Sequence, residues 1–185
     1  TDGSLISTAY AIRVLQLMKK FAEIKLRCGN AAEEVALKAD ISEYSERQKV
    51  MTEAFNRRFL TVKRGTSVRP GHVLYPDSVF YGNNTATANL LPLAFGIVPD
   101  SVKDDVVRNV VRNIIVTGNG HVTCGVIGIS WLMRGLSDNG FADVAYMLAT
   151  QRKYPSWGYM TENGATTIWE LWNGDKANPS MNSGN

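Results

Sequence analysis

Cysteine and histidine are scarce in this chain of 185 residues, with two of each. Cys28 and Cys124 lie far apart, in no CxxC or other metal-ligand spacing, so no disulfide framework or thiolate site organises the fold. Both are expected as packed thiols in or near helices. They do not assign a redox compartment or a localisation. His72 and His121 are too few and too scattered to supply ligands, and no metal or other cofactor is expected, although calcium held by loop oxygens stays open. No stretch approaches the roughly 18 apolar residues of a membrane span and no signal peptide opens the chain, so no membrane partner is expected. Nor is there a surplus of one charge. With 20 Lys+Arg against 17 Asp+Glu the net charge is +3, too little for a nucleic-acid-binding face. Residues 1–70 hold 13 of the basic and 8 of the acidic groups, which reads as solvated helix rather than as a binding patch.

What is present is an ordinary globular composition, 44% hydrophobic and 20% charged. A chain of this length buries roughly 70% of its unfolded surface without staples. From Leu5 to Arg27, the residues Ile6, Tyr10, Val14, Leu17, Phe21 and Ile24 recur at steps of three and four, the spacing of one helical face. Gly29-Asn30 ends that helix, and a second runs from about Ala31 to Phe59 with Tyr44, Met51, Phe55 and Phe59 on its apolar side. The stretch from Thr61 to Asn83, with Gly65, Pro70, Gly71, Pro76 and Gly82, reads as a long functional loop.

Beyond it, charge alternates from helix to helix. Asn83 to Pro99 contains no charge and predicts a helix buried on every side. Val102 to Val116 sets five charges opposite Val102, Val106, Val110 and Ile114. His121 to Ser137 has only Arg134, and Asp138 to Lys153 has four charges around Phe141, Val144, Ala145 and Leu148. Buried and exposed helices in alternation predict an all-α fold of two layers of antiparallel helices. The longer connections, Thr61 to Asn83, Thr117 to Gly120 and Lys153 to Ala165, then share one rim. There Tyr75, Phe80, Tyr81, Tyr154, Trp157 and Tyr159 would line a cleft. A tetratricopeptide-like scaffold is disfavoured, because helix and loop lengths are irregular.

The segment richest in chemistry is Tyr154-Pro155-Ser156-Trp157-Gly158-Tyr159-Met160 with Gly164-Ala165-Thr166-Thr167-Ile168-Trp169-Glu170-Leu171-Trp172. It holds three of the four tryptophans beside one carboxylate. Indole rings stack on the C–H faces of a pyranose while a carboxylate moves protons, and burial beside Trp169 and Trp172 would raise the pKa of Glu170. On composition alone, a core carboxylate satisfied by hydrogen bonds is an equal reading. Trp131, within a buried helix, is assigned to the core.

This stretch closely resembles the bacterial α-L-rhamnosidases. The resemblance extends through Asn84-Thr85-Ala86-Thr87-Ala88-Asn89, Leu93 to Pro99, Gly120-His121-Val122-Thr123-Cys124-Gly125, Ser156 to Met160 and Gly164 to Glu170. It implies an (α/α)6 barrel, the six-hairpin toroid, and inverting hydrolysis of a rhamnose-containing oligosaccharide or glycoside. By that match Glu170 is the general base, Trp157 and Trp169 line the sugar pocket, and Trp172 and Asn84 are weaker candidates for its wall and rim. The family's general acid belongs to an acid-rich motif upstream of everything here. Within the chain, Glu162, Asp175 and Asp77 are poor substitutes, and His121 is expected to be a capping or structural residue opening a buried helix. About six or seven helical segments, against about twelve in a closed barrel, make residues 1–185 an expected single-domain fragment, the C-terminal part of the catalytic domain, inactive alone and prone to self-association. The abrupt ends at Thr1-Asp2-Gly3 and Met181 to Asn185 lead to the same expectation. Another (α/α)6 glycosidase, trehalase-like or debranching, and a non-catalytic carbohydrate-binding domain are the alternatives.

Overall fold

Asp2 starts the first helix by accepting the Ser4 backbone N–H at 2.8 Å, and Lys25 and Arg27 stand in the last turn, where cations complement the helix dipole. The computed structural model describes residues 1–29, 32–63, 78–172 and 174. Its helices are α1 (Gly3–Cys28), α2 (Glu34–Phe59), α3 (Ala86–Ala94), α4 (Asp100–Arg112), α5 (Val126–Ser137), α6 (Ala142–Thr150) and α7 (Trp157–Glu162). A wider π-helical turn, Asn113–Thr117, extends α4.

Consecutive helices pair as α1 with α2, α3 with α4 and α5 with α6, while α1 touches α3 and α3 touches α5. Helices α1, α3 and α5 therefore form an inner row and α2, α4 and α6 an outer row, the two layers that the alternation of charge predicts. Eight of the nine residues of α3 are buried, as expected of an uncharged helix. Gly96 ends it in the left-handed region at φ +63°, so that Ile97 N–H turns back to the Pro92 carbonyl at 2.8 Å and Pro99 leads at once into α4. That outer helix buries Val102, Val106, Val107 and Val110, and Ile114 continues the stripe through the π turn.

Five expectations are corrected. In α1 the buried stripe is Leu5, Ala9 and Ile12, whereas Val14 and Phe21 of the expected face are 54% and 57% exposed. The helix is apolar on two sides, and the core takes the side with smaller residues, which allows closer approach. Within the expected loop, Leu60–Lys63 (β1) and Ser78–Tyr81 (β2) form an antiparallel ribbon with Leu60 opposite Tyr81; residues 64–77 lie outside the described part. The ribbon buries Tyr81 completely against Phe55, with its hydroxyl donating to Asn56 Oδ1 at 2.6 Å, so Tyr81 is a core residue and not a rim aromatic. Helix α5 begins at Val126 rather than His121. The preceding residues are extended, so that Val122 and Cys124 bury alternately, and His121 closes a turn on the Gly118 carbonyl. Cys124 is packed, with burial pushing its thiol up to about 11, but Cys28 at the end of α1 is exposed.

Helix α5 meets α3 along glycine. A Cβ on Gly128 would lie 2.4 Å from Thr87 Oγ1 and one on Gly135 2.9 Å from Leu90 Cδ2, seven residues apart on one face. Gly128→Ala is therefore expected to destabilise the chain by about 1–3 kcal/mol, through overpacking. Gly125→Ala, with open space around it, should change stability by less than about 0.5 kcal/mol. Urea midpoints of the two variants test this, and equal midpoints would remove the close contact from the account.

Candidate active site

Ser156 is fully buried, and its Oγ accepts the Tyr159 backbone N–H at 2.9 Å, capping α7. Gly158 lets the helix lie against the preceding chain, since a Cβ there would sit 2.5 Å from the Gln151 carbonyl. Trp157 is thereby fixed at the first helical position and Met160 is turned into the interior. The segment after α7 returns alongside it. Trp172 meets Trp157 edge to face at 5.5 Å, and Gly174 lies against the ring of Trp169, where a Cβ would come within 2.8 Å.

These elements enclose a cleft of about 530 Å³. Gly125, Val126 and Ile129 of the α5 end form one wall, Trp157 and Met160 of α7 another, and Ile168 to Trp172 the third. Glu170 is the one carboxylate among the described lining residues. Its side chain is exposed, so the expected burial beside Trp169 and Trp172 is not found. An apolar cleft with three indoles and one accessible carboxylate can hold the C–H faces of a sugar ring and accept a proton from water beside it.

The structure thus brings together Trp157, Trp169, Glu170 and Trp172, but not Asn84. Asn84 lies at φ +61°, and its Oδ1 accepts amide hydrogens from Asn89 (3.0 Å), Asn109 (2.6 Å) and Asn113 (3.2 Å). It is the hub of an asparagine cluster joining β2, α3 and α4, with no place in the cleft lining. Glu162 ends α7 and is ion-paired to Arg152 at 3.0 Å, outside the cleft. Asp77, Asp175, His72 and Tyr75 lie outside the described residues. Phe80 stands beside the Lys63 ammonium, and of the expected rim aromatics only Tyr154, Tyr159 and Trp157 gather, in edge-to-face pairs. Trp131 packs on Phe95 at 4.9 Å and donates to the Tyr10 hydroxyl at 3.1 Å, a core residue as expected. Sequence reasoning missed Val126 and Ile129. The signal for them was the apolarity of α5 on the side away from Gly128 and Gly135.

The whole chain, residues 1–185, matches the bacterial alpha-L-rhamnosidase 6 hairpin glycosidase domain. The chain belongs to this family. An alpha-L-rhamnosidase of Alteromonas sp. (strain LOR) is 32% identical over 173 residues, which are 94% of this chain and 16% of that protein. A crystal structure of Streptomyces avermitilis alpha-L-rhamnosidase complexed with L-rhamnose superposes with a TM-score of 0.73 at 27% identity, over 94% of this chain and 14% of that one. The native rhamnosidase of Aspergillus terreus gives 0.72 at 26% identity, over 94% and 17%. Three helical hairpins and the start of a fourth accordingly form part of a six-hairpin barrel, and this rhamnosidase-family chain spans about a sixth of the length of its relatives.

Because Ser156 holds α7, and with it Trp157, Ser156→Ala is expected to lower stability by about 1 kcal/mol, read from the urea midpoint. An unchanged midpoint would show that α7 is held by packing alone.

Proposed function

We propose that the protein carrying this chain hydrolyses terminal α-L-rhamnosides with inversion, with Glu170 as the general base that activates water. The observation that supports this most is Glu170, the one carboxylate among the described residues of a tryptophan-walled cleft, on a chain that belongs to the rhamnosidase family. A sugar ring against Trp157 and Trp169 presents its apolar C–H face and, in rhamnose, its C6 methyl to an aromatic wall. Trp172 buttresses Trp157 from the side. Water between Glu170 and the anomeric carbon gives up a proton to the carboxylate as its oxygen attacks. The departing oxygen takes a proton from the acid.

Inversion needs two carboxyls roughly 6.5–9.5 Å apart, so that water fits between base and sugar. No second acidic side chain lines the cleft among the described residues, and Glu162 is engaged with Arg152. In this reading the general acid comes from outside the chain, which supplies the C-terminal part of one catalytic domain and is inactive alone. In the full-length protein, Glu170→Gln should lower turnover of an aryl α-L-rhamnoside by at least about a hundredfold. An undiminished rate would remove Glu170 from the mechanism. Hydrolysis by the isolated 185 residues, abolished by the same substitution, would place the acid inside the chain.

The isolated chain also carries an uncovered, largely apolar groove of about 670 Å³ between α1 and α2, lined by Ala11, Val14, Leu15, Val50 and Met51 with Glu46 and Arg47. Met18, Phe21 and Ile24 extend this exposed apolar side along α1. Self-association of the isolated chain through this face is expected. Sedimentation velocity should give a species heavier than the monomer, and a stable monomer would contradict it.

A further inference from the structure

Helix α1 carries a second stripe that the core does not use. Ser4, Ser7, Ala11, Val14, Met18 and Phe21 follow one another at steps of three and four, the period with which one helix meets another along its length. Ala11 is half-buried and the other five are exposed. The stripe holds no charge. Its residues grow from serine near the start of the helix to phenylalanine roughly five turns on.

The opposite side of α1 is the one turned to α3. Gln16 donates to the Phe95 carbonyl at 2.7 Å, and the Arg13 guanidinium lies over the Phe95 ring, where α3 ends. Met18 is about 200° around the helix from Gln16. Ala11 and Val14 of the stripe also border the groove between α1 and α2. A body seated on the stripe therefore rests on α1 and reaches into that groove.

The inner row shows what kind of body fits. Within it α3 lies between α1 and α5, and the approach of α5 is set by residues without bulk, Gly128 and Gly135. Helix α1 stands at the end of the row, and its stripe has the same character, small at Ser4 and Ser7 and apolar beyond. The family's domain has six hairpins, of which residues 1–185 supply three and the start of a fourth, and the chain is 16% of its Alteromonas relative. A helix of the same polypeptide is held near the stripe at an effective concentration that reaches the order of millimolar. A second copy in dilute solution does not compete with that.

We propose that this stripe is the seam on which an apolar inner helix, from a hairpin of the same polypeptide outside residues 1–185, docks along α1. It approaches most closely at Ser4 and Ser7 and stands further off at Met18 and Phe21, because the distance between helix axes follows the side chains at the contact. Its apolar side chains enter the groove beside Val50 and Met51. The proposal is independent of the role of Glu170.

The test is side-chain accessibility in the full-length native protein, read by peptide mass spectrometry. Hydrogen peroxide should oxidise Met18 at least about tenfold more slowly in the native protein than in urea. In a Cys28→Ser background, N-ethylmaleimide should label Val14→Cys at least about a hundredfold more slowly than Val35→Cys, at a position of α2 that is 81% exposed. Ser7→Leu should lower the thermal midpoint and Ser7→Ala should leave it unchanged, since only the larger side chain collides with a closely packed helix. Met18 oxidised at its denatured rate, or Val14→Cys labelled as fast as Val35→Cys, would overturn the seam. Protection that falls away on dilution would also overturn it, by making the occupant a second copy. A Ser7→Leu protein as stable as wild type would overturn the close approach at that end.

Discussion

The close approach of α5 to α3 is the constraint on which the candidate site depends. Helix α5 is apolar on two faces. One, toothed by Gly128 and Gly135, takes Thr87 and Leu90 of α3 into the space where side chains would otherwise be. With that face held against the buried inner helix, the other is only partly covered. Val126, 73% exposed, and Ile129, half-buried against the core, wall the cleft. In the proposed mechanism the apolar surface that would be a liability on an isolated helix faces the sugar. Asn89 secures the partner helix. It is fully buried, yet it donates to Asn84 Oδ1 and the Thr85 carbonyl and accepts from Tyr81 N–H, so its amide is satisfied and ties α3 to the ribbon.

The remaining walls are built from local devices of small individual cost. A serine cap, a glycine that allows α7 to lie against the preceding backbone, and an edge-to-face tryptophan pair fix Trp157. Neither the serine nor the glycine touches the substrate in the proposed mechanism. They hold a flat ring in place before the sugar arrives, which reduces the ordering that binding would otherwise require. Glu170, the proposed base, stands in contrast on a segment without regular structure, between Trp169 and Trp172. Accessible water can reach it there, as a base for water requires.

The outer helices were legible from sequence because their charges lie opposite their apolar stripes. The valines of α4 and the Val144, Ala145 and Leu148 stripe of α6 are buried as read. Where a helix is apolar on two sides, periodicity states that a face is buried and not which one, and so the stripe assigned to α1 packs on the core at Ile6 and Tyr10 but faces solvent at Val14, Phe21 and Ile24. The β ribbon was hidden by the Gly- and Pro-rich residues between its strands, and four residues are too short for alternation to stand out. Glu170, Trp157, Trp169 and Trp172 were legible because they are close together in the chain. The role of Asn84 was not, since it is defined by Asn109 and Asn113, which are neighbours only after α4 has packed. The exposure of Glu170 was likewise out of reach, because burial depends on which elements cover a residue and not on its neighbours in sequence.

The central claim is that a carboxylate on this chain activates water on the face of the sugar opposite the departing group. The most direct measurement is the anomeric form of the rhamnose first released by the full-length protein, followed by proton NMR before mutarotation. β-L-rhamnose as the initial product of an α-L-rhamnoside is the predicted result. α-L-Rhamnose released first would mean a covalent intermediate and a nucleophile in place of a base, and would contradict the role given to Glu170.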